Sequence, residues 1–379
     1  MDIVCFCHLR WNFVYQRPQH LLSRFARQSR VFIIEEPIYT DTDAHLKVSN
    51  NEENLWILVP HLKHGTNPEE SLRIQQDFVA NYLKNFGVNK YIAWFYTPMM
   101  LPIASVLDQP VLTVYDCMDE LSAFKFAPPD IKQREQELLD KADVVFTGGY
   151  TLYEAKKNLH RNIHPFPSSI DKAHFGRARQ INTPPDEYAA IPSPRMGFFG
   201  VVDERFDIEL LRSLASKRAD WHFVIIGPVV KIDPASLPRG ENIHYIGGKT
   251  YDELPVHLSA WDIALIPFAI NESTEFISPT KTPEYLAGGK PVVSTPIKDV
   301  IRPYGNEGLV FIGNNAEDFE KGIEAGLQIR DDPGWLQRVD QFLDGISWDI
   351  TWNSMMNLIE KALDATQSGN IKTRSNEYV

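Results

Sequence analysis

The densest run of reactive residue types is Ser278 to Thr295, SPTKTPEYLAGGKPVVST. Pro279 and Thr280 open a helix there, Gly288 and Gly289 end it, and PVVST reads as a buried strand. A helix start offers free N–H groups and the positive end of its dipole. Lys281 adds a full charge beside them, so this end can hold a phosphate. Glu284, one turn further in, can accept hydrogen bonds from sugar hydroxyls. An exposed Lys–Glu pair at this spacing, worth about 0.3 kcal/mol, is the plain alternative. The position between a strand and a Gly-Gly stop favours a site.

Three further clusters follow strands. In GFFGVVDERFD (Gly197 to Asp207), Gly200 ends a strand where backbone can approach a ligand. Arg205 then either reaches a diphosphate or pairs with Asp203, Glu204 or Asp207. The run lacks the G-x-G-x-x-G spacing of a dinucleotide fingerprint. In YDCMDE, Asp116, Asp119 and Glu120 stand at a strand's carboxyl end. A carboxylate in a closing cleft gains a raised pKa and can act as general base, whereas an N-cap or turn aspartate is the ordinary role. Arg17-Pro18-Gln19-His20 begins a helix, and Arg17 or His20 can face an acceptor or serve only packing and capping. Asp41-Thr42-Asp43 lies in a polar loop unsuited to a metal. Gly247 to Tyr251 lies where a nucleobase could be held.

These clusters need strands to position them. Continuous apolar runs give buried parallel strands at Ile3–Cys7, Val31–Ile34, Tyr91–Tyr96, Val111–Tyr115 and Val144–Phe146 in the first half. The second half repeats the pattern at Met196–Gly200, His222–Gly227, Ile243–Gly247, Ile263–Phe268, Pro291–Thr295 and Leu309–Gly313. Helical stripes separate them, among them Ile74, Phe78, Tyr82, Leu83 and Phe86, and Ile208, Leu211, Leu214 and Ala215. Strand–helix alternation through both halves predicts an α/β chain of two doubly wound, Rossmann-like parallel-sheet domains facing a cleft. Four prolines within residues 176–194 mark a linker. Trp352, Met355, Met356, Ile359 and Leu363 make one face of a final amphipathic helix. The expected division is 1–175 for the first domain, 176–194 for the linker, 195–345 for the second domain, 346–365 for the last helix and 366–379 for a frayed tail.

The chain has 379 residues with a net charge of −12, so a broad basic footprint for nucleic acid is absent. One small anion can still be held locally. Cys5, Cys7 and Cys117 cannot all pair and are too few for zinc, which suggests a reduced, cytoplasmic protein without a metal site. The strand-like MDIVCFC lacks a basic signal-peptide region, and no apolar run reaches the ~20 residues that span a bilayer. Membrane contact is expected to be peripheral at most, at the inner face of the cytoplasmic membrane.

Together RPQH, YDCMDE, GFFG and PTKTPEYLAGGKPVVST resemble the GT-B glycosyltransferases, in the flavour of bacterial teichuronic-acid and exopolysaccharide enzymes. The resemblance covers roughly Asp2 to Leu363. It implies a hexosyltransferase of polysaccharide biosynthesis. The donor would be a UDP-, GDP-, ADP- or dTDP-linked sugar and the acceptor a glycan, lipid-linked or small-molecule hydroxyl, with no cofactor or metal. By analogy Glu284 would bind the donor ribose; Gly200, Arg205, Thr280 and Lys281 the diphosphate; and the loop at Gly247 would frame the base. The last helix would cross back to the first domain. Arg17, His20 and Glu120 are acceptor-side candidates. Retaining members often carry E-x7-E; the second glutamate matches Glu284, but Phe276 holds the first position and Glu275 is displaced by one. Retention and inversion both remain open. Inversion would assign the base to Asp119, or second to Asp116. Two rivals share the frame: a nucleotide-sugar 2-epimerase and a non-catalytic nucleotide-sugar or glycan-binding protein.

Overall fold

Two sheets of buried apolar strands organise the molecule. A computed structural model describes residues 1–376, without the side chains of Asn51 and 367–376. The first sheet holds β1 (Asp2–Cys7), β2 (Val31–Glu35), β3 (Ile38–Thr40), β4 (His45–Glu52), β5 (Leu55–Lys63), β6 (Tyr91–Phe95), β7 (Leu112–Cys117), β8 (Val144–Thr147) and β9 (Ile163–Pro165). Their order is β3-β5-β2-β1-β6-β7-β8-β9, with β4 antiparallel on β5 and every other pairing parallel. β1 is buried along its whole length because helices cover both faces of the sheet.

The second sheet holds β10 (Arg195–Phe199), β11 (His222–Ile226), β12 (Ile243–Gly247), β13 (Ile263–Ile266), β14 (Val292–Ser294) and β15 (Val310–Ile312). Its order, β12-β11-β10-β13-β14-β15, is all parallel and doubly wound. The order reverses between β10 and β13, and ligands of such sheets sit off the strand ends at that point.

The expected strands are all present, each within two residues of the anticipated ends. β3, β4, β5 and β9 were not anticipated. β4 carries mostly polar side chains, since its hairpin with β5 is at the sheet's rim. Asn54 makes the turn between them at φ +63°. The D-x-D at Asp41 and Asp43 lies in the exposed bend just before β4.

The final helix, Trp348–Asn376, crosses back to the first domain. Its Trp348, Met355 and Ile359 are buried with Trp11, Leu21, Phe25 and Trp94 of that domain. Arg24 Nε donates to Asp349 Oδ1 at 2.9 Å and ties the crossing to the helix Arg17–Ala26. The helix extends past the expected end at residue 365, and residues 377–379 of the anticipated frayed tail lie outside the described residues. Among the described residues no helix is long and apolar enough to cross a membrane.

Candidate active site

The end of β10 and the start of the helix Lys281–Ala287 are built against each other. Phe199 N–H donates to Tyr285 Oη at 3.0 Å, which docks the helix on the strand. Gly200, at φ +142°, then lies under the Lys281 side chain. A Cβ on Gly200 would stand 2.2 Å from Lys281 Cε and 2.7 Å from Nζ. Gly227 closes β11 in the same way at φ +141°, where a Cβ would meet Gly200 O at 1.9 Å. Gly289, at φ +75°, ends the helix as expected of a left-handed stop.

Around this junction lies a cavity of about 460 Å³ in the cleft between the sheets. Gly200, Arg205, Thr280, Lys281 and Glu284 line it from the second domain, with Gly248 to Tyr251 at one end. Phe13 to Gln16, the loop after β1, close it from the first domain. Gly247 is the exception among the expected donor residues. It is exposed at the end of β12 with φ +85°, and its neighbour Gly248 lines the cavity instead.

Lys281 and Glu284 line the cavity together, and each acts electrostatically on the other. Burial pushes the Lys281 ammonium down, with Glu284 opposing and Arg205 adding to the shift. Burial pushes the Glu284 carboxyl up, against the pull of Lys281. Both groups therefore carry unpaid desolvation that a complementary ligand would relieve. Arg205 is both paired and presented: Asp203 accepts from its Nε at 3.0 Å and from its Nη2 at 2.7 Å, while the guanidinium still lines the cavity. Phe124 of the first domain lies under it, 5.5 Å from guanidinium carbon to ring centre.

The first-domain candidates divide sharply. Asp116, the second choice of base, is fully buried and engaged. It accepts from Arg17 Nε at 3.0 Å and from Arg17 Nη2 at 2.8 Å, while Arg17 Nη1 donates to Phe166 O at 2.7 Å. Burial pushes Asp116 up and the Arg17 charge pulls it back. Three hydrogen bonds to one guanidinium hold the charged pair. Asp116 is therefore a structural anchor for Arg17, and Arg17 offers its spent guanidinium's edge, not a free cation, to the cleft.

His20 is likewise structural. It stacks on Trp348 at 4.5 Å and meets Tyr15 edge-on at 4.7 Å, so it serves the helix crossing rather than an acceptor. Glu120 turns away from the cleft into a network. Its carboxylate meets Lys156 Nζ at 2.7 Å and accepts from Ser122 Oγ at 2.6 Å, and Lys156 also meets Glu135 at 2.8 Å.

Asp119 differs from its two neighbours. No partner hydrogen-bonds its carboxylate among the described residues. It lines a smaller space of about 100 Å³ that shares Gln16, Arg205, Thr280 and Lys281 with the larger cavity. Burial pushes its carboxyl up to about 6, against Arg205 and Arg17. The displaced Glu275 of the E-x7-E comparison is exposed and paired with Lys298 at 2.8 Å.

Sequence reasoning missed the loop Phe13 to Gln16 and Gly227, whereas the Asp203 clamp on Arg205 is one of the pairings it offered as the alternative role of that arginine. The glycine closing HFVIIG, in the same place as that of GFFG, was the available clue for Gly227. Nothing local announces that Tyr15 reaches across the cleft.

Residues 194–328 match the family model described as glycosyl transferases group 1. The chain is 26% identical over 285 residues to a Bacillus subtilis (strain 168) protein named for teichuronic acid biosynthesis, the glycosyltransferase TuaH, covering 69% of this chain and 70% of that one. Among solved structures, sucrose-phosphate synthase from Thermosynechococcus elongatus superposes with a TM-score of 0.66 at 15% identity, over 96% of this chain and 99% of that chain. The catalytic domain of starch synthase IV from Arabidopsis thaliana gives a TM-score of 0.64 at 10% identity, over 96% and 99% of the two chains. These structural likenesses carry the whole two-domain fold, and the sequence likenesses favour transfer over epimerisation or mere binding. The chain is a glycosyltransferase of the GT-B fold.

Proposed function

We propose that the enzyme transfers a hexosyl group from a nucleoside-diphosphate sugar, held by the second domain, to a hydroxyl presented by the first. The observation that carries this is the convergence of Gly200, Arg205, Thr280, Lys281 and Glu284 on one cavity of about 460 Å³ closed by the other domain. Lys281 and Arg205 would take the diphosphate, and Gly200 leaves room for it. Glu284 would accept from the ribose, and Gly248 to Thr250 would border the base. Two cations at the leaving group supply the charge stabilisation that such a departure needs, so transfer would proceed without a cofactor or bound metal. Closing the cleft brings donor and acceptor together and excludes water.

Asp119 lines the smaller adjoining space with Lys281 and Thr280, which would put it at the reacting end of the site. A product of inverted anomeric configuration would assign it the role of base for the acceptor hydroxyl. A retained configuration would assign it the orientation of that hydroxyl. The acceptor is proposed to be a glycan or a lipid-linked sugar, met at the cytoplasmic face of the membrane. Starch synthase IV was solved with ADP and acarbose, and a trehalose-6-phosphate protein of E. coli with UDP-2-fluoro glucose, which supports a nucleotide-sugar donor.

The test is a thermal-shift panel of UDP, GDP, ADP, CMP and dTDP and their sugars, followed by turnover with the stabilising donor. A bound nucleotide raises the melting temperature in step with its saturation. Stabilisation by one nucleotide, full activity in EDTA and loss of transfer in Lys281→Ala are expected. Near-normal turnover of Lys281→Ala would sink the assignment.

A further inference from the structure

The donor cavity contains a second polar group that the roles above leave unused. Tyr251 follows the loop after β12 and lines the cavity with Glu284. Its ring is covered on both faces: Tyr15 of the first domain stacks on it at 4.4 Å and His174 at 4.0 Å. Two parallel rings this close must take opposite faces, so neither face is open to a nucleobase. Phe175 meets it edge-on at 5.5 Å. What the ring still presents is its edge and hydroxyl. That hydroxyl is buried and has no hydrogen-bond partner. A buried hydroxyl left without a partner is unfavourable, and a ligand in the cavity that hydrogen-bonds to it would relieve that.

We propose that the Tyr251 hydroxyl and the Glu284 carboxylate together grip one ribose hydroxyl of the donor nucleotide, which makes Tyr251 a sugar-reading residue of the donor site. This rests on the nucleotide-sugar function proposed above. A carboxylate only accepts and a phenol donates, so the two are not interchangeable partners. A ribose hydroxyl between them donates to Glu284 and accepts from Tyr251, satisfying both. No hydrogen bond joins the two residues directly. Burial leads the effects on Tyr251, and the largest charges acting on it are Glu284 and Asp171, with Arg24 opposing them. A neutral hydroxyl fits beside these carboxylates. The stacked Tyr15 also makes the ring's placement depend on the first domain, so the grip is complete only when the cleft has this closed form.

The experiment is calorimetric titration of UDP, GDP and ADP, each with its 2′-deoxy and 3′-deoxy forms, into the native enzyme and Tyr251→Phe. The phenylalanine ring keeps every stacking contact, and an unchanged melting temperature without ligand checks this. The native enzyme is expected to bind the preferred ribonucleotide about tenfold tighter than at least one of its deoxy forms. Tyr251→Phe is expected to lose most of that preference while binding the same deoxy form as the native enzyme does. Equal native affinity for all three sugars, or full retention of the preference in Tyr251→Phe, overturns the proposal while leaving donor binding intact. Failure of the native enzyme to bind any nucleoside diphosphate, added alone or as its sugar, overturns the donor site and this proposal together.

Discussion

Replacing Asp116 by alanine separates the two aspartates of YDCMDE by what each does. The substitution removes three of the four hydrogen bonds that Arg17 makes and leaves Phe166 O as the remaining one. Arg17 is 3% exposed, so water cannot replace the lost carboxylate. Breaking a buried pair from one side costs about 3–5 kcal/mol, because the other charge stays buried and uncompensated. For a domain of this size about 1 kcal/mol shifts melting by about 2–4 °C, so a fall of roughly 10 °C is expected in the transition that unfolds the first domain. Differential scanning calorimetry at neutral pH measures it. Asp119→Ala is the control: with no hydrogen bond to lose, it should leave that transition unlowered while cutting turnover by about 100-fold or more. A shift under about 2 °C in Asp116→Ala together with abolished turnover would refute the division and place Asp116 at the chemistry.

Gly200→Ala should raise the donor KM by about tenfold or more, since its Cβ would lie 2.2 Å from Lys281 Cε at a backbone φ of +142°; steady-state kinetics and an unchanged far-UV spectrum check it. Asp119 carries a carboxyl raised from 3.8 to about 6, so folding favours its neutral form, and ionising it as pH rises from about 4 to 6 costs stability. Asp119→Asn should therefore melt above the native enzyme at pH 7 and lose that advantage at about pH 4; an advantage confined to acid would reverse the sign. Ile359→Ala empties a fully buried site on the crossing helix and should destabilise the first domain by about 2–5 kcal/mol, read by denaturant titration, although the residue lies at the far end of the chain.

Much of the frame was legible locally. Continuous apolar runs such as VLTVY and HFVIIG have no polar face to turn to water, so they had to be strands covered on both sides. The glycines at 200 and 289 were legible as well, since each stops an element where only a residue without a side chain fits. The rim was harder to see: HLKVSNNE of β4 pairs on one edge only and keeps polar side chains, so it lacks the apolar pattern that marks an inner strand.

By itself the sequence determined two doubly wound sheets and a lysine and glutamate one turn apart behind a strand, because periodicity and spacing are properties of neighbouring residues. Only the tertiary structure decided which polar groups are spent and which are free. Asp116 is neutralised by Arg17, 99 positions away, while Asp119, three residues on, is left unpaired in the cleft. Glu120 is taken by Lys156, and His20 by Trp348 of the returning helix. The same packing brings Tyr15 onto Tyr251 across the two domains. A side chain's chemistry depends on what desolvates it and what pairs with it, and here those partners come from the opposite sheet and the opposite end of the chain.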